Sequence, residues 1–259
     1  MKSTGPLSQE EFIAGVKEKC QPFLKDMGKR MINDDIFVFR GFTSHSGDYI
    51  HGTVRTNREP KDTNRAFHEL FNNWTKEKFG IYSRSECLFA TSDEGEASEY
   101  GSVFAVFPTG PYEEIYSSVI SDLYDQLLSN PSKLIMNFHK FNERRFADVL
   151  EEYHLITDED KDWESDHSVR YEFQTFRSAY DSTRFGFQGK ASDEDMDNLR
   201  KFMVKEVFEK VGYVKEASCK RAAGTGTEMM IHCKEYYAVS PDEFGEHGDL
   251  VEIIKKVMQ

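Results

Sequence analysis

Three short runs in this sequence end in residues that could work on a charged, phosphate-bearing substrate. Phe37-Val-Phe-Arg-Gly41 ends in an arginine followed by a glycine, and Cys87-Leu-Phe-Ala-Thr-Ser92 ends in two hydroxyls. Glu228 heads the run to Ser240, which reads as a strand, a short polar break and a second strand. An arginine can hold two oxygens of a diphosphate at once. A carboxylate beside a ribose 2′-hydroxyl stabilises the positive charge that develops on the sugar as a leaving group departs. A hydroxyl can position either partner, and a glycine lets a ligand approach the backbone closely. These parts suffice to bind a dinucleotide and break a glycosidic bond in it.

The order and spacing of the runs resemble a known family. Phe39-Arg40-Gly41, then Phe89-Ala-Thr-Ser92 followed by Ala97 and Tyr100, then Glu228-Met-Met-Ile231, are similar to the Arg–Ser–Glu pattern of the toxin-type mono-ADP-ribosyltransferases. The likeness spans about residues 35 to 240, as islands. It implies an α+β fold with an ADP-ribosyltransferase-like split, mixed or antiparallel β core, flanking helices and a helical N-terminal region. It also implies NAD as substrate. Carried over by position, Arg40 would hold NAD phosphate or ribose, and Gly41 would meet the nicotinamide amide. Ser92 with Thr91 would stand at the hydroxyl position, Tyr100 would stack on nicotinamide, and Glu228 would be the catalytic carboxylate. Catalysis would thus rest on Glu228, Arg40 and Ser92.

Two positions depart from the pattern. Ala90 replaces the first serine of Ser-Thr-Ser, and Gly226 stands where arginine-modifying members carry Glu or Gln. The second departure points away from arginine side chains as acceptors. The expected acceptor is a nucleic acid or a different protein side chain, and the resemblance suggests a bacterial or phage effector from a toxin–antitoxin or phage-defence system. An antitoxin or regulatory protein is an expected partner. An NAD glycohydrolase and a catalytically inactive interaction module of the same fold are the alternatives.

Each residue also has an ordinary reading. Thr91 and Ser92 precede an acidic segment and could cap a helix. Tyr100 could belong to the core. Glu94, Glu96 and Glu99 read as a polar helix face. Arg58 and Arg84 are candidates for phosphate contact or for surface salt bridges. His45, His51 and His232 show no metal-ligand spacing, and no metal is expected. No GxGxxG opens a strand–helix unit, which argues against a Rossmann site.

The elements that must position these residues are read from periodicity and punctuation. Ser8 and Glu11 have capping-box spacing ahead of a helix, and Pro22 opens a second helix through Met31. Strands are expected at Ile36–Arg40, Tyr49–Arg55, Cys87–Thr91, Ser102–Phe107, Tyr213–Lys220 and Glu228–His232. Helical spacing marks Ala66–Trp74, Asp93–Tyr100, Ser118–Leu128, Phe138–Tyr153 and Ser192–Lys210. Asp158–Asp166 reads as an acidic loop and Val169–Phe173 as a strand. The last helix presents Leu250, Ile254 and Val257. The Gly- and Thr-rich stretch Arg221–Thr227 is expected to be mobile. Strands and helices do not alternate as βαβ units, so the class is α+β. The expected organisation is a single domain over 1–259, with a helical region over 1–33 and a possible insertion over 130–212.

Composition sets the bounds. A formal charge of -13 opposes a general nucleic-acid coat, which needs clustered Lys and Arg. Phe and Tyr supply 21 and 12 residues, enough for a real core. Four cysteines without CxxC pairing read as buried, reduced thiols. No apolar run is long enough to span a bilayer and the N-terminus lacks a signal-peptide core, so a soluble cytoplasmic protein without a membrane partner is expected.

Overall fold

The computed structural model describes residues 3–44, 47–59, 65–123, 152, 193–241 and 247–259. The expected helix at Phe138–Tyr153, the acidic loop at Asp158–Asp166, the strand at Val169–Phe173 and most of the 130–212 segment lie outside the described residues. Packing divides the chain into two compact units: Met1–Arg58, Thr75–Ser121 and Tyr213–Gln259 form one, and Glu59–Trp74 with Asp122–Gly212 form the other.

The first unit is built on two sheets in which every strand pairing is antiparallel, with helices alongside. One sheet contains β1 (Ser3–Pro6), β3 (Tyr49–Thr53), β9 (Glu235–Val239), β5 (Ser102–Pro108) and β2 (Phe39–Phe42), in that spatial order. The other has the order β4 (Leu88–Ala90), β8 (Met229–His232), β6 (Glu113–Ser117) and β7 (Tyr213–Glu216). The class is α+β, as expected.

Helices α1 (Gln9–Lys19), α2 (Gln21–Asn33) and the C-terminal α7 (His247–Met258) pack together beside the first sheet. The Ser8–Glu11 capping box is complete: Ser8 Oγ accepts from Glu11 N at 3.2 Å, and Glu11 Oε2 accepts from Ser8 N at 2.8 Å. The expected Pro22 opening of α2 is also present. Phe12 of α1 packs against Tyr49, Phe107 and Tyr237 with ring centroids 5.2, 5.8 and 6.0 Å away. These edge and tilted contacts join α1 to three different strands.

Two strands were not read in the sequence. β1 is Ser-Thr-Gly-Pro, with little strand propensity, and β6 carries the consecutive charges Glu113 and Glu114. Residues 118–122 are not helical, contrary to the reading of Ser118–Leu128, because the chain leaves β6 through bends. The other strands sit where expected within a few residues. Two short helices lie between them, α4 (Ser83–Glu86) and α5 (Glu94–Ser98).

Residues 65–74 of α3 (Arg65–Phe79) belong to the second unit. There Phe67, Phe71 and Trp74 surround Phe208 at centroid distances of 5.7, 5.1 and 5.4 Å. Phe208 ends Met203–Phe208, a π-helical continuation of α6 (Asp193–Phe202). All four cysteines are buried free thiols, as expected. No helix among the described residues is long and apolar enough to cross a membrane.

Candidate active site

The two sheets meet through one pair of backbone hydrogen bonds. Phe39 N donates to Thr91 O at 2.6 Å, and Thr91 N donates to Phe39 O at 2.9 Å. Phe39 belongs to β2, and Thr91 immediately follows β4. The β4–β8 register runs Leu88 with Ile231, Phe89 with Met230 and Ala90 with Met229. Beyond it, Thr91 Oγ1 donates to Gly226 O at 3.2 Å, two residues before Glu228. The arginine strand, the hydroxyl pair and the glutamate, far apart in sequence, therefore converge where the sheets join.

Arg40 follows Phe39 in β2, next to that rung. Its Nη1 donates to Phe89 O at 2.6 Å, and its Cζ lies 5.5 Å from the centre of the Phe42 ring. The residue is half-buried, but its Nε is shielded and has no hydrogen-bond partner among the described residues. Burial, reinforced by Arg58, pushes the guanidinium pKa down to about 10, with Tyr236 opposing. It remains charged at neutral pH. A cation held in this way is suited to an incoming anion.

Two further arginines gather on the same aromatic ring. Arg58 Cζ stands 4.4 Å and Arg84 Cζ 5.4 Å from the centre of Phe89. The Arg58 segment is joined to α4, with Arg58 N donating to Ser85 O at 3.4 Å and Ser85 Oγ donating to Arg58 O at 3.3 Å. Cation–π attraction holds both guanidinium groups near the ring. Positive charge is thus concentrated at one place in an acidic chain. The surface salt-bridge reading of Arg58 and Arg84 misses this convergence. Nothing local in the sequence announces it, since Arg58 precedes α3 (Arg65–Phe79) and Arg84 lies in α4.

Thr91 is buried and holds the junction together. Its hydroxyl accepts from Asp93 N at 3.1 Å, with Gly226 O at 3.2 Å and Glu96 Oε2 at 3.3 Å as acceptors for its proton. Ser92 is half-buried. The cap of α5 is neither of these hydroxyls but Asp93, which accepts from Glu96 N at 3.1 Å. Glu96 is thus engaged with Thr91, which the reading of a plain polar helix face did not include.

Gly41 lies under the end of α5. A Cβ there would stand 2.2 Å from Ala97 O and 2.9 Å from the Tyr100 Cβ. The absent side chain is what lets α5 lie against β2, and it brings Tyr100 beside the arginine strand. Tyr100 is 56% exposed, so the core reading of this residue does not hold.

Glu228 is half-buried immediately before β8, with its N–H donating to Ser121 O at 3.0 Å. The stretch leading to it is more firmly tied than its composition suggests. Ala222–Gly224 forms a 3-10 turn, and Thr225 Oγ1 donates to Ala222 O at 2.8 Å. Gly226 has φ +69°, a left-handed backbone that favours glycine. Its carbonyl accepts from Thr91. The glycine at this position therefore has a backbone reason of its own.

Among the described residues no group of His, Cys, Asp and Glu side chains could hold a metal ion. His232 is 42% exposed at its side chain, with Nδ1 4.0 Å from Glu113 Oε2. No family model, curated protein or solved structure matches this chain.

Proposed function

We propose that this chain is an NAD-cleaving mono-ADP-ribosyltransferase with the ADP-ribosyltransferase-like core of the toxin type. The observation that carries the reading is the Phe39–Thr91 rung, which joins the Arg40, Thr91-Ser92 and Glu228 segments at the meeting of two antiparallel sheets. The guanidinium groups around Phe89 support the same reading, since a dinucleotide presents a diphosphate that needs cations.

Arg40, Arg58 and Arg84 hold the diphosphate. Glu228 faces the ribose and stabilises the cation that develops at its anomeric carbon. The bond from that carbon to the nicotinamide nitrogen breaks with both electrons going to nicotinamide, which leaves neutral. A nucleophile on the acceptor then forms the new bond to the same carbon and loses its proton. Ser92 positions the ribose or the carboxylate, and Thr91 keeps the two sheets in register. Tyr100 supplies an exposed ring beside the arginine strand. The left-handed Gly226 offers no side chain to engage an arginine acceptor, so the acceptor is a nucleic acid or a non-arginine side chain.

The test uses NAD labelled on its adenylate, a whole-cell lysate, and the native chain beside Glu228→Gln. The expected result is nicotinamide release with label on a macromolecule, both reduced at least about a hundredfold by the substitution. Label removed by nuclease but not protease identifies a nucleic-acid acceptor, and the reverse identifies a protein. Free nicotinamide without label makes water the acceptor, hence a glycohydrolase. Turnover unaffected by Glu228→Gln defeats the mechanism, and intact NAD points to an interaction module.

A further inference from the structure

Behind the segment that leads to Glu228 lies a buried carboxyl group with no role in the proposed chemistry. Glu114 stands in the middle of β6, paired in register with Glu216 of β7 on one side and Ile231 of β8 on the other. It is wholly buried, and among the described residues no N–H or O–H group donates to either carboxyl oxygen, the Cys219 thiol being the side-chain donor beside it. Burial pushes its pKa up to about 8, with the Cys219 thiol opposing and Glu216 and Asp26 adding to the rise.

The groups around it come from each packed element. β7 contributes Glu216, α2 contributes Asp26, and the stretch after β7 contributes Cys219. Tyr116 lies on the same strand, near Glu216 and Arg221. The β8 neighbour, Ile231, is apolar. The cations nearby are engaged with other carboxylates: Arg221 pairs with Glu216 at 3.1 Å and Lys220 with Asp26 at 3.4 Å. An ionised Glu114 would therefore be a buried charge facing two carboxylates, a costly arrangement.

The same cluster clamps the segment before Glu228. Asp26 accepts from Cys219 N at 2.9 Å, Ser218 Oγ at 2.8 Å and Tyr112 Oη at 2.5 Å. Arg30, also on α2, donates to Lys220 O. From there the segment continues through the Ala222–Gly224 turn and the Gly226–Thr91 contact to Glu228. If Cys219 lifts away from β6, water reaches the Glu114 carboxylate and the clamp on α2 opens.

We propose that Glu114 is a proton-operated latch: its neutral form keeps residues 218–228 clamped to α2, and its ionised form releases them. The latch stands on the full burial of Glu114 opposite Glu216 and on the Asp26 clamp. Its consequence, that release displaces Glu228 and stops catalysis, rests on the NAD-cleaving reading.

The test is amide hydrogen exchange on the full chain from pH 6 to 9, expressed as protection relative to intrinsic rates. In the native chain, protection at Cys219, Ala223, Thr225 and Glu228 should fall across the range at least about tenfold more than protection in β5 and β9. In Glu114→Gln it should stay level. Identical profiles in the two proteins, or a loss spread over the whole chain, overturn the latch. Should Glu114→Gln fail to fold, carbon-detected NMR of the native carboxyl decides. A midpoint near 8, shared with the amide shifts of the segment, supports the latch, and a midpoint below 6 defeats it. Nicotinamide release that falls above pH 8 in the native chain and persists in Glu114→Gln extends the latch to catalysis. Absence of turnover in both refutes the NAD reading and leaves the exchange result standing.

Discussion

Phe89 carries the guanidinium groups of Arg58 and of Arg84 in α4 on its ring and a third at its carbonyl, which makes it the hub of the charged site. If these cations hold a diphosphate, losing one removes a charge-assisted hydrogen bond worth about 1.5–3 kcal/mol. Arg58→Ala and Arg84→Ala should each weaken ADP-ribose binding roughly tenfold or more by calorimetry. Arg58→Lys should not restore it, because an ammonium lacks both the flat stacking face and the two-pronged donor geometry. Affinities within twofold of the native value for all three variants would remove these arginines from the ligand. The site was only partly legible in sequence for a related reason. Arg40, Thr91, Ser92 and Glu228 could be singled out by type and order, but their meeting depends on a single rung between two sheets. Arg58 and Arg84 follow no periodicity that points at Phe89, and only the tertiary fold brings them there.

Among the elements, those with local causes were readable. The α1 capping box and the proline in the first turn of α2 are written within a few residues of the helix starts. β6 was hidden because a buried glutamate breaks the apolar alternation by which a strand is recognised. The stretch before Glu228 looked mobile because its anchors, Asp26, Arg30 and Thr91, are remote in sequence. The placement of α5 gives a test at this scale. A Cβ on Gly41 would meet the backbone oxygen of Ala97, which cannot rotate away as a side chain could. Gly41→Ala should therefore destabilise the first unit by about 1–3 kcal/mol, measured by urea unfolding. An unchanged unfolding midpoint with a raised KM for NAD would instead show that this glycine serves the ligand alone. Gly226→Ala should cost about 1–2 kcal/mol, since an L-residue resists the left-handed backbone.

For the whole molecule, Glu114 makes stability depend on pH in a direction that can be worked out. Its pKa is raised in the fold, from an ordinary carboxyl value to about 8. The native state therefore retains a proton that the unfolded chain gives up first. Its contribution is fully present below the unfolded pKa and declines as pH rises through that value and on to about 8, where it levels off. The formal charge of -13 also disfavours compactness at neutral pH, so falling stability in the native chain would not by itself identify Glu114. The comparison with Glu114→Gln does, because the two proteins share every other titrating group. Expressed as native minus variant, the melting temperature should decline steadily from pH 5 to 8 and then run level. A flat difference would mean that Glu114 ionises in the fold as readily as in the unfolded chain. A difference that rises with pH would mean that the carboxylate is the favoured buried form, with a cation supplied to it at high pH.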